Sequence, residues 1–584
     1  MASRSGPVHV VKNIRKYKGK EYATYLLRRS VRVGKKVKKE TVANLSHLPE
    51  ELIRIIRRYL KGEAFAGAGE SFRIDRSLPH GHVAAVLGTL RRLGLEKLLG
   101  KKPSRRRTLT VGMIAARILE PSSKLAVAGH LNAETSCTSL GEVLGAESVD
   151  VDELYHTMDW LIQRQSGIED ALAERHLTDG SLMLYDVTSV YFEGRTCPLA
   201  GLGHNRDGKK GKLQIVVGLL CNAEGRPVSV QVFRGNTGDP KTLLPQIEKI
   251  RSRFDLSRVV LVGDRGMITE ARLREDVRPA GLDWITALRA PSIRQLVDCG
   301  SLQLSLFDET DLAEISGPAY PGERLIVCKN PLLAEDRART RMELIKATEK
   351  HLDTIVQATM RHARKLKGKD KIALRVGKVV NRAKVGKYFN LNITDNSFGY
   401  SRNEERISQD ARLDGFYVIR TSVPEQDLTA QGTVRCYKSL AKVERAFQSL
   451  KSADLRVRPI HHRLEDRVKA HVFICMLAYY VDWHMRKALA PILFDDDDRS
   501  KAQTLRQSVV KPARRSKGAL RKASTRKTED GIPVQSFQSL LSHLGTLTKN
   551  TVRLVSSDVA FCQYSEPTAV QRKAFELLGV SPRM

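Results

Sequence analysis

SLMLYDVTSVYFEG, residues 181–194, places a carboxylate in the middle of a run rich in branched and aromatic residues, which predicts a strand over 182–192 ended by Gly194. Side chains on a strand alternate between faces, so Asp186 shares a face with Leu184 and Thr188, opposite Tyr185 and Val187. An acid among apolar strand neighbours is costly unless something pairs with it. Asp186 therefore reads as a functional carboxylate.

Working outward, runs at 213–221 and 227–233, separated by Gly-rich turns, predict two further strands in an antiparallel meander. A helix over 242–254 leads to VVLVGD at 259–264, and a second helix near 269–277 leads to WITALR at 284–289. These are buried-strand signatures at crossover spacing, so a mixed sheet with flanking helices follows. Asp264 stands directly after the apolar run, at the carboxyl end of a strand, where α/β sheets collect functional groups. On its own it also fits a turn or a helix N-cap. GFYVIRTS at 415–422 restores a buried strand, and helices over 437–451 and 464–488 complete the core.

The rest of the chain divides around this core. Residues 1–77 read as a small basic module: a hairpin pairing 22–33 with 36–43 around Gly34, then a helix over 50–60. Residues 78–180 read as a helical domain, from apolar residues at three-to-four spacing. Residues 182–290 plus 415–490 form the α/β core, 291–414 interrupt it as an α+β insertion domain, and 531–584 form a C-terminal element. Residues 495–530 read as a disordered basic linker, in which DDDD at 495–498 precedes ten positive charges from Lys501 to Lys527 with no acid between them.

Over 584 residues, 99 Lys and Arg against 65 Asp and Glu leave a net charge of +34, which favours polyanions, nucleic acid first, over acidic small ligands. The eight cysteines contain no C-x-x-C pair, so neither a zinc ribbon nor a dithiol redox motif is expected, and reduced thiols in a cytoplasmic location are. No apolar run is long enough to span a membrane; VFICMLAYYV at 472–481 reads as a buried helix.

Glu444 lies on an amphipathic helix whose Leu440, Val443, Phe447 and Leu450 face inward, a place where a solvated glutamate is also common. Tyr437 and Lys451 lie seven residues to either side of it. Seven residues are nearly two helical turns, so the three form one stripe along a cleft edge, an arrangement that suits a DNA strand. Glu193, Asp207, Asp414 and Glu465 are alternative third acids. His204, Arg206, Lys209, Lys210 and Lys212, in the turn before the second strand, form a basic loop suited to phosphate. Asn236 and Asp239 fit a turn at the strand exit as well as a site edge. His461, His462 and His471 lack further ligands at zinc spacing and read as structural.

These segments resemble the DDE transposases of bacterial insertion sequences, in the group with a Tyr-x2-Arg-x3-Glu-x6-Lys signature. Tyr437, Glu444 and Lys451 match it, and Leu440 stands at the arginine position, where Lys438, Lys442 or Arg445 would have to supply the charge. The resemblance spans most of the chain and implies a ribonuclease H-like core with Asp186, Asp264 and Glu444 as the catalytic, metal-binding triad. It implies Mg²⁺, with Mn²⁺ as a substitute, held by hard carboxylate oxygens for in-line phosphoryl transfer. Water would be the nucleophile first and a DNA 3′-hydroxyl later. The implied partners are double-stranded DNA, namely the terminal inverted repeats of the element and a target, and a second copy of the chain in a synaptic homo-oligomer. DNA contacts would fall to Tyr437, Lys451, Arg445 and the basic loop, and the protein would be nucleoid-associated when bound. A nuclease that cleaves without strand transfer, or a non-catalytic DNA-binding regulator, are the alternatives.

Overall fold

The computed structural model describes residues 6–34, 36–63, 72–498, 508–555 and 559–584. They form two compact units, Met1–Ser77 with Lys549–Tyr564, and Leu78–Thr548 with Ser565–Met584. In the first, β1 (Val8–Tyr17), β2 (Lys20–Val33) and β3 (Lys36–Asn44) make an antiparallel meander. Strand β1 adds to the expected hairpin, reached through a tight turn in which Lys18 and Gly19 both have positive φ, as a twist-matched two-residue turn requires. Ile53 of the helix Glu50–Leu60 packs against Tyr25 and Leu45. Strand β4 (Phe72–Pro79) joins a separate three-stranded sheet with Thr548–Leu554 and Ala560–Tyr564.

The stretch 531–584, expected as one element, is thus divided: its strands belong to the first unit, while its helices Phe537–Gly545 and Ala569–Leu578 pack on the helix Gly81–Arg92 in the second. The helices of residues 81–176 do not stand apart either. Arg105–Leu119, Val151–Ile162 and Gly81–Arg92 pack around Glu465–Leu489, whose segment 472–481 is buried on every side. That explains an apolar run too short for a bilayer: it is the axis of a helical layer that also covers the sheet. No described helix is long and apolar enough to cross a membrane.

The sheet begins with β5 (Ser181–Tyr191), β6 (Gln214–Asn222) and β7 (Pro227–Arg234), the antiparallel meander, followed by β8 (Val259–Val262) and β9 (Asp283–Ala287), parallel to β5. Every residue of β6 is buried. Gly218 is needed there, because a Cβ would lie 2.4 Å from the hydroxyl of Tyr185, whose ring crosses beneath it. Strands β10 (Leu312–Ile315) and β11 (Arg324–Lys329) come next. The chain then leaves the sheet through the helices Pro331–Met360 and Lys369–Ala383 and the hairpin of β12 (Phe389–Ile393) and β13 (Phe398–Arg402). These share a core of their own around Ile345, Leu352, Ile372 and Phe398. It returns as β14 (Phe416–Thr421), which pairs with both β9 and β11, giving the order β10-β11-β14-β9-β8-β5-β6-β7. The expected insertion 291–414 is therefore too long at its start: β10 and β11 extend the sheet, because the apolar RLIVCK of β11 is buried against β14.

Of the stretch read as a disordered basic linker, residues 499–507 lie outside the described residues. The described remainder is largely exposed but anchored at a few buried residues. The helix Lys517–Thr525 is capped by Ser516, whose hydroxyl accepts from Ala519 N at 3.1 Å and donates to Asp496 at 2.7 Å. Lys522 is buried and donates to Ala490 O, Asp495 O and the Asp497 carboxylate. The acidic run neutralises and anchors part of the basic one.

Candidate active site

Strands β5 and β8 run side by side with Leu184 opposite Val262. Counting two residues onward on each brings Asp186 and Asp264 to adjacent positions on one face of the sheet. Behind Asp186, Met183, Leu184 and Tyr185 are buried; Asp264, past the last ladder residue, is exposed. The helix Ala441–Lys451 buries Val443, Ala446, Phe447 and Leu450 and packs along β5, which leaves Glu444 on its open side. Asp186, Asp264 and Glu444 consequently line a single cleft of about 690 Å³, together with Arg206, Lys451 and Arg458.

Burial lifts the Asp186 carboxyl to about 6. Its own bond from Val187 N, at 2.8 Å, and the nearby Arg206 oppose that rise, and the charges of Glu444 and Asp264 add to it. Tyr437 lies beside Asp264, and burial followed by that carboxylate pushes its phenol up to about 12. The donors offered are hard oxygens on three separate elements, with the charges of Glu444 and Asp264 adding to the proton affinity of Asp186, a set that fits divalent cations. The three are not packed into one tight knot. Among the described residues, the acid, histidine and cysteine group whose ligand atoms all lie within 4.8 Å of one another is Glu120, His130 and Cys137. A pair of divalent ions would divide such carboxylates between them, so neither would need all three acids.

The basic loop divides in its roles. Arg206 is on the cleft wall, donating to Val187 O at 3.2 Å and paired with Asp239. His204, Lys209, Lys210 and Lys212 are outside the lining; Lys212 pairs with Glu193 at 3.0 Å. Asp207 is turned inward, its side chain 1% exposed, and accepts from Tyr191 N, Lys451 and Arg458. It is a structural acid that holds two cations of the wall. The other alternative third acids are committed elsewhere, Asp414 to Arg341 and Glu465 to Lys469 at 2.8 Å.

The stripe from Tyr437 to Lys451 is not one helix. Ala430–Lys438 and Ala441–Lys451 are separate, with Ser439 Oγ bonding back to Arg435 O at 3.0 Å and Leu440 N to Tyr437 O at 3.1 Å. That local tightening interrupts the helix, in keeping with the effect of serine back-bonding. Tyr437 still meets the acids, and Lys451 still reaches the cleft. Leu440 is buried. Lys438 donates to Val509 O and Val510 O, and Lys442 to Ala223 O, so both are engaged in packing. Arg445 is exposed and lines the cleft.

Arg458 and the ion pair of Asp239 with Arg206 are cleft features that pattern reading overlooks, since neither sits in a periodic segment; only the charge of RGNTGD beside a strand exit hints at the pair. Two of the three histidines pack together: His471 is buried with Nε2 at 3.1 Å from Val457 O, and its ring lies 5.2 Å from that of His462, whereas His461 is exposed.

Residues 178–481 match the family described as the transposase DDE domain, and residues 10–71 match the N-terminal domain of IS1634 family transposases. No curated protein matches the chain. Among solved structures it is similar to a piggyBac transposase synaptic complex with hairpin DNA, at 9% identity over 80% of this chain and 76% of that one, with a TM-score of 0.32. That likeness is too distant to carry an inference.

Proposed function

The chain belongs to the DDE transposases of insertion sequences, and we propose that the cleft of Asp186, Asp264 and Glu444 is where it cuts and joins DNA. As a DDE transposase it is a metal-dependent DNA-transposing enzyme. The observation that carries the site assignment is the meeting of three carboxylates, from mid-β5, from the end of β8 and from the helix Ala441–Lys451, on one cleft walled by cations.

The sheet order β7-β6-β5-β8-β9, with an acid on its first strand and another after its fourth, supports reading this part as a ribonuclease H-like core. Mg²⁺, or Mn²⁺ in its place, would be held by the three carboxylates. When bound, a pair of such ions activates the attacking hydroxyl and stabilises the leaving oxygen in an in-line displacement. The residues of the chain do the rest. Arg206, Arg445, Arg458 and Lys451 fix phosphates on either side of the scissile one, and Tyr437 orients Asp264 from behind. Chemistry of this kind needs neither a general-base imidazole nor a covalent enzyme intermediate. Water attacks in the first step; the freed DNA 3′-hydroxyl attacks the target in the second.

The substrates are the terminal inverted repeats of the element and a target duplex, engaged by two or more copies of the chain in a bacterial cytoplasm. The match of residues 10–71 to a transposase N-terminal domain supports end recognition by the first unit. Strand-transfer assays on pre-cut element ends test the assignment against a nuclease that only cleaves: joined products are expected, and cleavage without joining would refute transfer.

A further inference from the structure

A second concavity, of about 710 Å³, opens among the helices Gly81–Arg92, Leu95–Leu99, Gln165–His176 and Glu465–Leu489, and shares no lining residue with the catalytic cleft. Arg92, Lys97, Lys101 and Arg175 stand around it, all exposed, and no carboxylate lines it. Arg175 donates to Leu93 O at 2.7 Å, and the nearest acid in sequence, Glu96, is taken by Arg91 at 3.2 Å. Arg92, Lys97 and Lys101 have no ion-pair partner among the described residues.

The floor is neutral and polar. His176 Nδ1 lies 2.8 Å from the Arg226 guanidinium, which can only donate, so its other nitrogen carries the proton and donates to Tyr480 Oη at 2.9 Å. The rings of Tyr480 and His484 stack edge to face at 4.8 Å, and the buried Nε2 of His484 has no partner. Burial, followed by the surrounding cations, keeps both imidazoles neutral near pH 7. All the charge of the pocket therefore sits on its rim, on long side chains that can fan outward. Four such cations exceed what one phosphate ion neutralises, whereas successive phosphates of a strand can meet them one by one. Nothing on the floor offers a pattern for reading base edges.

We propose that this pocket is a DNA-backbone site, separate from the catalytic cleft, that grips a duplex through its phosphates without regard to sequence. It rests on the reading of the chain as an enzyme acting on DNA. The test is the salt dependence of binding between the full-length protein, without divalent metal, and a duplex of arbitrary sequence. Each lost phosphate contact lowers the slope of log K against log salt by about 0.9, so Arg92→Gln/Lys97→Gln/Lys101→Gln should lower it by about 2.7 and weaken binding more than about ten-fold at moderate salt. Lys346→Gln/Lys350→Gln/Lys371→Gln, three exposed lysines of the long inserted helices, should leave the slope unchanged. Equal slopes for the wild type and the first variant, or equal losses in both variants, would overturn the site while leaving the transposase reading intact. Absence of any DNA binding by the wild type would overturn both. A rise in melting temperature with inorganic phosphate, lost in the first variant while its DNA slope stays normal, would assign the pocket to free phosphate and contradict the DNA-backbone role.

Discussion

Lys451 Nζ lies 2.8 Å from the Asp207 carboxylate and 2.6 Å from Thr188 Oγ1, so a cation of the cleft wall is held from behind by an acid whose side chain is almost wholly buried. Arg458 pairs with the same carboxylate. Asp207 thus organises the wall without itself facing the reacting atoms. Its loss should leave two partly buried cations uncompensated, and breaking such a pair from one side costs about 3–5 kcal/mol. The partial exposure of Lys451 and Arg458 brings the expectation for Asp207→Asn to about 2–3 kcal/mol, read by urea unfolding. A loss below about 0.5 kcal/mol would mean that the pairing is incidental.

Asp186 should make the metal-free protein less stable as pH rises. Its folded pKa is raised from 3.8 to about 6, so between those values the folded state holds a proton that the unfolded state has released. Stability then falls by up to about 1.4 kcal/mol per pH unit through that window, and the loss is complete above it. Asp186→Asn should accordingly be more stable than the wild type at neutral pH, by on the order of 2 kcal/mol, with the difference vanishing toward pH 4. Denaturant midpoints at several pH values measure this; parallel profiles for the two proteins would contradict it. Adding Mg²⁺ should raise the melting temperature of the wild type and not of the variant.

Arg445 is the cation nearest Glu444 in sequence that remains open to a ligand, whereas Lys438 and Lys442 are occupied by backbone carbonyls. A charge-assisted phosphate contact contributes about 1.5–3 kcal/mol, so Arg445→Gln should lower element-end cleavage by about ten- to a hundred-fold. Leu440→Arg should not rescue it, because that side chain is buried. Full rescue in the double variant, measured by cleavage rate, would show that position 440 reaches the phosphate after all.

Gly218→Ala should destabilise the sheet by about 1–3 kcal/mol through overpacking, since the added carbon meets the Tyr185 hydroxyl at 2.4 Å. Removing that hydroxyl with Tyr185→Phe should recover part of the loss, although the bond to Thr242 O goes with it. A double-mutant cycle in unfolding free energy reads the coupling, and strict additivity would contradict the contact.

What could be read from the chain divides along physical lines. Strand alternation and apolar runs made β5 to β9 and β14 legible, and with them the strand positions of Asp186 and Asp264, because those signals depend on burial that a local pattern records; the adjacency of the two acids comes from the pairing of β5 with β8. Seven-residue spacing brought Tyr437, Glu444 and Lys451 together, yet it hid the break at Ser439, where a side-chain to backbone bond overrides periodicity. Lys451 and Asp207 are 244 residues apart, and Arg206 and Asp239 are separated in the chain by β6 and β7; such pairings follow from tertiary closure, which composition does not encode. The basic stretch from Ser508 onward misled for the same reason, since its counter-charges, Asp496 and Asp497, act by packing around the helix Lys517–Thr525.

The central claim is that Asp186, Asp264 and Glu444 act together on DNA. Mg²⁺-dependent cleavage of the element's own ends, measured beside end binding for the wild type and for Asp186→Asn, Asp264→Asn and Glu444→Gln, tests it most directly. Each variant is expected to bind ends as the wild type does and to lose cleavage by more than about a thousand-fold, as loss of a charge-stabilising group at a reacting phosphate does. Wild-type cleavage by any one of the three would remove that residue from the triad and contradict the account.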